Sequence, residues 1–437
     1  MLSEKLKRMG VVGAGGAGFP TYVKAQSNVE FVIANGAECE PLIHKDLELM
    51  KNFPEQIVDG LKLMMNSTGA RKGKFAVKDK HQDAIESISK FIKSGVIDFT
   101  FLGDFYPSGD EYEVVYTATG RLIPPGGIPL QVGCVVNNVE TLYNISNAVR
   151  DVPVTKKMVS VSGEVRNPKS FWIPVGTPFR DLIVLAGGTT VNDFVILDSG
   201  VMMGKLVLNM DEVVTKTTAG LIVLPSDHYL IMRKNTSPEN QNRIGKSACD
   251  QCTYCTEFCP RYLLGYEVMP HKVMRSLGFT LTGEAMWNQW AELCCACGLC
   301  TLYACPEDLF PKEACDKAKK DMRSAGIKFT QTRTVQVHPM KEARRVPQSQ
   351  LRRRLKIEDY EGETPFENLD YEPEYVKIKL QQHIGKPANP VVSIGEIVEE
   401  GQVIGEVGEN ELGAYIHSSI NGIVTEINES FIKINKR

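Results

Sequence analysis

The sequence lacks the features of a membrane or nucleic-acid-binding protein. None of its apolar runs approaches the roughly 20 residues that a membrane helix needs. Its formal net charge is −3, so the basic excess typical of nucleic-acid-binding proteins is missing. Residues 1–10 carry charges but no apolar core, and we expect no secretory signal there. With 437 residues, 43% of them hydrophobic, the composition predicts a soluble cytoplasmic protein of roughly two to four domains.

Cysteine is scarce over most of the chain but abundant in one segment. Nine of the twelve cysteines lie between Cys249 and Cys305. A secreted disulfide-rich protein would be short and would carry cysteines throughout, so this clustering indicates metal binding instead. The remaining three, Cys39, Cys134 and Cys315, are expected to be small buried side chains.

Two cysteine runs lie in that segment. The first has the spacing C-x2-C-x2-C-x3-C-P, the bacterial ferredoxin run for a [4Fe–4S] cluster, and consists of Cys249, Cys252, Cys255 and Cys259. The second departs from this spacing, because four residues rather than three precede its last cysteine. It consists of Cys294, Cys297, Cys300 and Cys305, with Cys295 as an alternative to Cys294.

The ferredoxin pattern suggests how the two runs share their ligands. In two-cluster ferredoxins, the fourth cysteine of a run ligates the other cluster. By that pattern, one cluster is held by Cys249, Cys252, Cys255 and Cys305, and the other by Cys294, Cys297, Cys300 and Cys259. Zinc sites also use C-x2-C pairs, but they require neither a third cysteine at the same step nor a Cys-Pro ending. The spacing therefore favours two [4Fe–4S] clusters over two zinc ions.

A glycine-rich loop lies near the N-terminus, where residues 11–19 read VVGAGGAGF. Gly13, Gly15 and Gly18 satisfy G-x-G-x-x-G, although the strand that should precede a dinucleotide-binding turn is weak. Backbone N–H groups of such a loop can bind a phosphate, and Lys24 could add a positive charge. A glycine-rich turn without any flavin is the alternative.

Three separated motifs together resemble the flavin site of NADH-oxidising electron-input subunits, namely the flavin-carrying subunit of respiratory complex I and the C subunit of the Rnf complex. The motifs are GAGGAGFPTYVK at the glycine loop, NGAECEP at residues 35–41 and NNVETL at residues 137–142. The resemblance implies sites for FMN and NADH. FMN would be bound by Gly13, Gly15, Gly16, Gly18, Lys24, Asn35, Glu38, Asn137, Asn138 and Thr141, and the nicotinamide would be lined by the catalytic candidates Phe19 and Glu40.

The chain departs from the complex I version at two positions. Ala14 replaces an arginine in the glycine loop, and Ala37 replaces an aspartate in the acidic segment. Both changes remove polar contacts to FMN or NADH. Residues 106–121, followed by PPGGIP, resemble the Rnf version instead.

The resemblance implies a multidomain α/β and α+β fold. The predicted units are a Rossmann-like FMN/NADH domain at 1–152, a β-grasp module of the SLBB type at 153–235, a helical ferredoxin-like domain with two [4Fe–4S] clusters at 240–330, a linker at 331–370 and a barrel-sandwich hybrid at 371–437. The polar composition of the linker favours a solvated segment over a basic docking face. The hybrid resembles lipoyl domains, but its hairpin tip, residues 418–422, has no lysine for a swinging prosthetic group.

The order of these units resembles that of the cobalamin reductases of propanediol-utilisation bacterial microcompartments. That family implies hydride transfer from NADH to FMN, then single electrons passing through two clusters to cobalamin. It also implies an adenosyltransferase partner, contacts with microcompartment shell or enzymes, and a location inside the compartment. The alternative is an electron relay with a protein acceptor in an Rnf-like or other microcompartment assembly, and a third reading is a cluster protein without flavin.

Overall fold

The computed structural model describes residues 1–278, 289–329 and 331–437 of the chain. Residues 279–288 and 330, which belong to the predicted ferredoxin-like domain, lie outside the described residues. The described elements follow the predicted order of units from the N-terminus to the C-terminus.

The first unit is built on a four-stranded parallel sheet. Its elements are α1 (Leu2–Arg8), α2 (Thr21–Ala25), β1 (Phe31–Gly36), α3 (Lys45–Asn52), α4 (Pro54–Thr68), β2 (Lys72–Lys78), α5 (Gln82–Ser89), β3 (Ile97–Leu102), β4 (Phe105–Tyr106), α6 (Glu111–Thr119), β5 (Cys134–Asn138) and α7 (Val139–Ala148). The strand order is β3-β2-β1-β5. Because the chain winds outward on both sides of β1, the carboxyl ends of β1 and β5 form the crevice where open α/β sheets bind ligands.

The second unit is a mixed sheet covered by one helix. Its elements are β6 (Lys156–Gly163), β7 (Lys169–Pro174), α8 (Phe179–Leu185), β8 (Phe194–Asp198), β9 (Lys205–Val207) and β10 (Gly220–Pro225). The strand order is β7-β6-β10-β8-β9, with β6 and β10 parallel. Phe179 and Leu182 of α8 pack into the core of this sheet.

The third unit is helical and carries both cysteine runs. Its described helices are α9 (Tyr229–Lys234), α10 (Pro238–Ala248), α11 (Tyr254–Glu257), α12 (Pro260–Leu263), α13 (Pro270–Ser276) and α14 (Pro311–Ser324). A π-helical turn at Cys300–Ala304 separates the last two cysteines of the second run. A π turn accommodates one extra residue relative to an α turn. The longer spacing of the second run is therefore absorbed locally.

The segment at residues 331–370 is packed between other units, so the prediction of a solvated linker is wrong. It contains β11 (Val346–Pro347), which pairs antiparallel with β4, and α15 (Gln348–Leu355). Leu351 and Leu355 are fully buried. The ammonium of Lys341 lies 2.6 Å from the buried carboxylate of Glu113 on α6. A few buried apolar side chains and this ion pair fix a segment whose average composition is polar.

The C-terminal unit consists of two small antiparallel sheets around one core. Its strands are β12 (Tyr375–Lys379), β13 (Asn389–Pro390), β14 (Ile397–Val398), β15 (Val403–Glu406), β16 (Ile416–His417), β17 (Gly422–Ile427) and β18 (Phe431–Lys436). The sheets have the orders β12-β18-β17-β14 and β13-β15-β16. At the hairpin tip, Ser418 and Ser419 are buried, and Ser419 Oγ donates to the carbonyl oxygen of Val175 at 2.5 Å. The tip is thus docked on the second unit.

Lys216 joins three of these units. Its buried ammonium donates to the carbonyl oxygens of Gly10 and Tyr415 at 2.8 and 3.0 Å. The ammonium forms no ion pair with a carboxylate of the described residues, and burial alone lowers its pKa from 10.5 to about 7. The first, second and C-terminal units therefore meet at a buried lysine that no carboxylate of the described residues pairs with.

Lys216 predicts a pH-dependent stability. Between pH 7 and 10.5 the unfolded chain holds a proton that folded Lys216 has released, so Lys216 contributes a rise in stability with pH of up to about 1.4 kcal/mol per pH unit. We expect Lys216→Met to lose this rise, when melting temperatures are measured from pH 7 to 10. Lys205→Met, at an exposed lysine of the same unit, should keep the wild-type slope. An unchanged slope in Lys216→Met would contradict the assignment.

Candidate functional site

The glycine loop closes on itself between α1 and α2. Gly13 N–H donates to the Phe19 carbonyl oxygen at 2.9 Å, and Gly18 N–H donates to the Gly13 carbonyl oxygen at 3.2 Å. Gly16 has a φ of +107°, and a Cβ built there would meet open space. The loop is flanked by helices rather than following a strand of the sheet, so it differs from the strand–turn–helix of a dinucleotide-binding turn. It leaves an open face at Gly16.

The motif at residues 137–142 lies against this loop. Thr141 Oγ1 accepts a hydrogen bond from Ala14 N–H at 2.9 Å, and a Cβ on Gly15 would lie 3.2 Å from Asn138 Cβ. Asn138 also caps α7 and donates from Nδ2 to Asp46 Oδ2 at 2.7 Å. Asn137 is buried, yet its Nδ2 has no hydrogen-bond partner among the described residues. Asn137 directly precedes Asn138, and its unpaired buried amide fits a polar ligand such as FMN at this motif.

Lys24 supplies the positive charge of the cradle. Its Nζ donates to the Val136 carbonyl oxygen at 2.6 Å and lies 3.8 Å from Glu111 Oε1. Burial lowers the pKa of Lys24, and Glu111 opposes that shift. Because the single carboxylate is distant, a phosphate placed here would stabilise the ammonium further.

The acidic segment after β1 is divided between two places. Asn35 Nδ2 donates to the Gly109 carbonyl oxygen at 3.0 Å and so contacts the Rnf-like segment at 106–121. Glu38 instead accepts from Leu47 N–H on α3 at 2.8 Å, and burial followed by the charge of Asp46 raises its pKa to about 8. Glu38 lines a separate pocket that contains no residue of the glycine loop. Its predicted contact with FMN therefore stays a prediction without support from this geometry.

Glu40 contacts the second unit. Its two carboxylate oxygens accept from Met202 N–H at 3.0 Å and Met203 N–H at 2.8 Å. A Cβ on Gly200 would lie 2.4 Å from Glu40 Oε2. Phe19, the other catalytic candidate, stays with the glycine loop, where Lys24 Nζ is 5.9 Å from its ring centroid. The carboxylate of Glu40 is thus occupied in joining two units.

The first cluster set brings cysteines of both runs together. Cys249, Cys252, Cys255 and Cys305 line one pocket, which is the grouping expected from the ferredoxin pattern. Burial, and then the nearby Cys305, Cys249 and Cys252, raise the pKa of Cys255 to about 12. Gln251 Nε2 lies 3.1 Å from Cys249 Sγ, and Cys252 is exposed. Binding to iron would convert such thiols to thiolates and reverse this shift.

The second cluster set is buried more deeply. Cys259, Cys297 and Cys300 are buried, and Cys294 and Cys295 are half-buried. Burial raises the pKa of Cys300, and the neighbouring Cys294 and Cys259 raise it further.

Cys294 and Cys295 differ in their nearest thiols. Cys294 interacts with Cys315, whereas Cys295 interacts with Cys297. The choice between them as a ligand stays a prediction. In the described part of the chain, no group of three or more His, Cys, Asp or Glu side chains has the geometry of a single-ion site.

Tyr106 and Arg261 connect the second cluster set with the flavin motifs. Tyr106 Oη donates to the Cys297 carbonyl oxygen at 2.7 Å, and Arg261 forms a 2.8 Å ion pair with Asp110. Glu111, next to Asp110, lies beside Lys24. Tyr106 lies in the Rnf-like segment and Arg261 follows the first cysteine run, but the sequence alone predicted no role for either residue.

Four family models match successive segments of the chain. They are the Nuo51 FMN-binding domain at residues 6–147, the SLBB domain at 158–205, the 4Fe-4S dicluster domain at 248–310 and the RnfC barrel sandwich hybrid domain at 359–437. Together they confirm the predicted fold class. Among the described helices, none combines the length and the hydropathy that crossing a bilayer requires.

Relatives match nearly the whole chain. Cobalamin reductase PduS of Citrobacter freundii is 38% identical over 434 residues, covering 99% of this chain and 96% of the relative, and the PduS of Salmonella typhimurium matches equally. The chain belongs to the PduS family. It is therefore an oxidoreductase with an FMN-binding domain and a 4Fe-4S dicluster domain.

Two more distant similarities cover less of the chains compared. The C subunit of the Na⁺-translocating ferredoxin:NAD⁺ oxidoreductase complex of Acetobacterium woodii is 34% identical over 274 residues, covering 60% of this chain and 59% of the relative. A chain of an NAD⁺-reducing [NiFe]-hydrogenase superposes on 78% of this chain and 65% of its own length, with a TM-score of 0.48 and 19% identity.

The cradle predicts that FMN binding depends on Lys24 and Gly15. Lys24→Met removes the cationic donor, and Gly15→Val crowds Asn138, so each should weaken FMN binding about tenfold or more. Equilibrium dialysis with FMN checks this, and the iron content should not change. Lys90→Met, at a lysine whose side chain is 62% exposed, should bind FMN normally. If both Lys24→Met and Gly15→Val bind FMN with wild-type affinity, FMN does not bind at this loop.

The sharing of cysteines between the runs predicts different outcomes for two double variants. Cys252→Ala/Cys259→Ala damages both proposed sets, so iron should fall from about eight per chain towards zero. Cys252→Ala/Cys305→Ala damages one set and should retain about four iron atoms. Iron and sulfide analysis after anaerobic reconstitution distinguishes them. The reverse order of iron contents would show that each run binds its own cluster.

Proposed function

We propose that the protein is an NADH-dependent oxidoreductase that reduces cobalamin by way of FMN and two [4Fe–4S] clusters. The observation that carries the proposal is the segment at residues 105–111, which contacts both the flavin cradle and the second cluster set. Asn35 bonds to Gly109 of this segment, and Tyr106 bonds to Cys297. The nearly full-length match to relatives named cobalamin reductase supports cobalamin as the acceptor.

The protein's own residues would bind and orient the flavin. The backbone of Gly15 and Gly16 would approach it closely, Lys24 would neutralise its phosphate, and Asn137 Nδ2 would donate to it. Bound FMN accepts two electrons as a hydride and releases them singly, which one-electron clusters require. Phe19, at the edge of the loop, would contact the nicotinamide. Glu40 acts as a positioning residue, since its carboxylate is held by Met202 and Met203.

The positions of the cysteines support an order of electron transfer. Cys259, Cys294, Cys297 and Cys300 would hold the cluster on the flavin side, which would supply a one-electron acceptor there, because Tyr106 and the flavin unit contact this set. Cys249, Cys252, Cys255 and Cys305 would hold the cluster on the acceptor side, which would supply a one-electron donor there, because their pocket is lined by no residue of the flavin unit. Cys252 is the exposed member of this set and would mark the exit. An adenosyltransferase that consumes reduced cobalamin inside a microcompartment would be the natural partner.

A relay to a protein acceptor is the second candidate. The similarity to the Acetobacterium woodii protein favours it, since that relative is one component of a larger redox assembly. The two candidates differ in whether the isolated protein reduces cobalamin.

Anaerobic EPR on the reconstituted protein tests the proposal. NADH as the only reductant should generate reduced-cluster signals, and oxidised cobalamin should then discharge them while cob(II)alamin appears. Gly15→Val is the matched control: NADH should fail to reduce its clusters, whereas dithionite should still do so. If NADH reduces the clusters but cobalamin does not reoxidise them, the result would contradict cobalamin reduction by this protein and would favour the relay to a protein acceptor.

A further inference from the structure

A second pocket lies at the carboxyl ends of β1 and β2. Its cavity volume is about 460 Å³, and residues of the segment at 331–370 close it on one side. Its lining includes no residue of the glycine loop at 13–19. Carboxyl ends of parallel strands are the usual place for ligands in open α/β sheets. The pocket is therefore a candidate site separate from the flavin cradle.

One end of this pocket is rich in nitrogen-bearing side chains with unused hydrogen-bonding capacity. This basic end consists of His44, Lys78, Lys80, His81, Gln348 and Arg352. Three atoms there have no partner among the described residues, namely His81 Nδ1, Gln348 Oε1 and Arg352 Nε. Gln348 is only 1% exposed. Buried polar atoms are normally paired, so unpaired ones around a cavity indicate a missing ligand.

The basic end also has a positive electrostatic environment. Burial, followed by the charges of Arg352, Lys80 and Lys78, lowers the pKa of His44 to about 4. The imidazole is thus neutral at physiological pH, and an anion would be attracted to the surrounding charges.

Asp104, which lies outside the lining, pairs with Lys78 at 3.0 Å and with Lys80 at 2.8 Å, so these two cations of the basic end share one carboxylate and keep one excess positive charge. Burial raises the pKa values of Glu38 and Glu40. Asp83 and Glu363 act on Lys51, on the α3 side of the pocket.

Two further carboxylates of the lining are held by cations of the pocket. Glu48 is paired with Lys51 at 2.8 Å, and Glu361 is paired with Arg352. That pair leaves Arg352 Nε free of partners among the described residues.

We infer that the basic end binds the phosphate group of an organic ligand, with Arg352 and Lys80 as its charged contacts. The identity of the ligand rests on the proposed function, whose two substrates both carry phosphate. Cobalamin has one phosphodiester in its nucleotide loop, and NADH has a pyrophosphate. Gln348 Oε1 would accept a hydrogen bond from a neighbouring amide or hydroxyl group of the same ligand.

The pocket lies close to the proposed electron path. Gln348 Nε2 donates to the Cys39 carbonyl oxygen at 2.6 Å, and Cys39 packs in the same apolar cluster as Cys297 and Tyr106. A ligand against Gln348 would therefore be separated from the second cluster set by a thin layer of side chains. This position suits a redox substrate better than a purely structural ligand.

Equilibrium binding to the FMN- and cluster-loaded protein, without reductant, tests the inference. The probes are cobalamin, cobinamide, which lacks the phosphate-linked nucleotide, NAD⁺, which carries the pyrophosphate of NADH but cannot reduce the protein, and inorganic pyrophosphate. Arg352→Gln and Lys80→Gln should each weaken binding of the phosphate-bearing substrate and of pyrophosphate about tenfold. Lys80→Gln leaves the packed segment at 331–370 intact. Arg353→Gln, whose side chain is 76% exposed, is the matched control and should bind as wild type.

The outcomes separate the sources of phosphate. Weaker binding of cobalamin with unchanged cobinamide binding would identify the corrinoid phosphodiester, and weaker binding of NAD⁺ but not of cobalamin would identify the nucleotide pyrophosphate. Unchanged affinity for cobalamin, NAD⁺ and pyrophosphate in both variants would overturn the site. Pyrophosphate binding is independent of redox activity, so it reports on this site even if cobalamin proves not to be the acceptor.

Discussion

The structure depends on one buried carboxylate, that of Glu140. It is fully buried and accepts hydrogen bonds from Lys45 at 2.9 Å, from Lys157 and from Met158 N–H at 3.2 Å. Burial alone would raise its pKa, but the charges of Lys157 and Lys45 outweigh that effect and hold the pKa below its usual range. Removing one member would leave an uncompensated buried charge, which is among the costliest changes in a protein interior. Glu140 belongs to the flavin motif, so this network holds the cradle against the β-grasp unit.

The remaining units meet the same cradle from other sides. Ile384 N–H of the C-terminal unit donates to the Gly18 carbonyl oxygen at 3.0 Å, and Lys216 joins that unit to Gly10. The C-terminal unit is docked on the second unit through Ser419 at its hairpin tip, and it packs against the glycine loop. The absence of a lysine at residues 418–422 agrees with this role.

The segment at 331–370 connects the flavin unit with the cluster unit. It pairs with β4, places Gln348 against Cys39 and closes the pocket at the ends of β1 and β2. The same segment thus contacts the flavin unit and, through Arg354 and the carbonyl oxygen of Cys305, the cluster unit. Electron transfer requires short separations between redox centres. By contacting both units, the segment at 331–370 would help to keep the flavin and cluster sites close together.

The sequence by itself determined the parts whose chemistry is local. Cysteine spacing sets a ligand loop within a few residues, and the flavin motifs, the unit order and the family could be recognised in the same way. Only the tertiary structure showed the contacts between residues that are far apart in the sequence. Glu40 meets Met202 and Met203 across about 160 positions, and the polar composition of 331–370 concealed its buried leucines. Such contacts follow from burial and charge pairing between units, which local patterns do not encode.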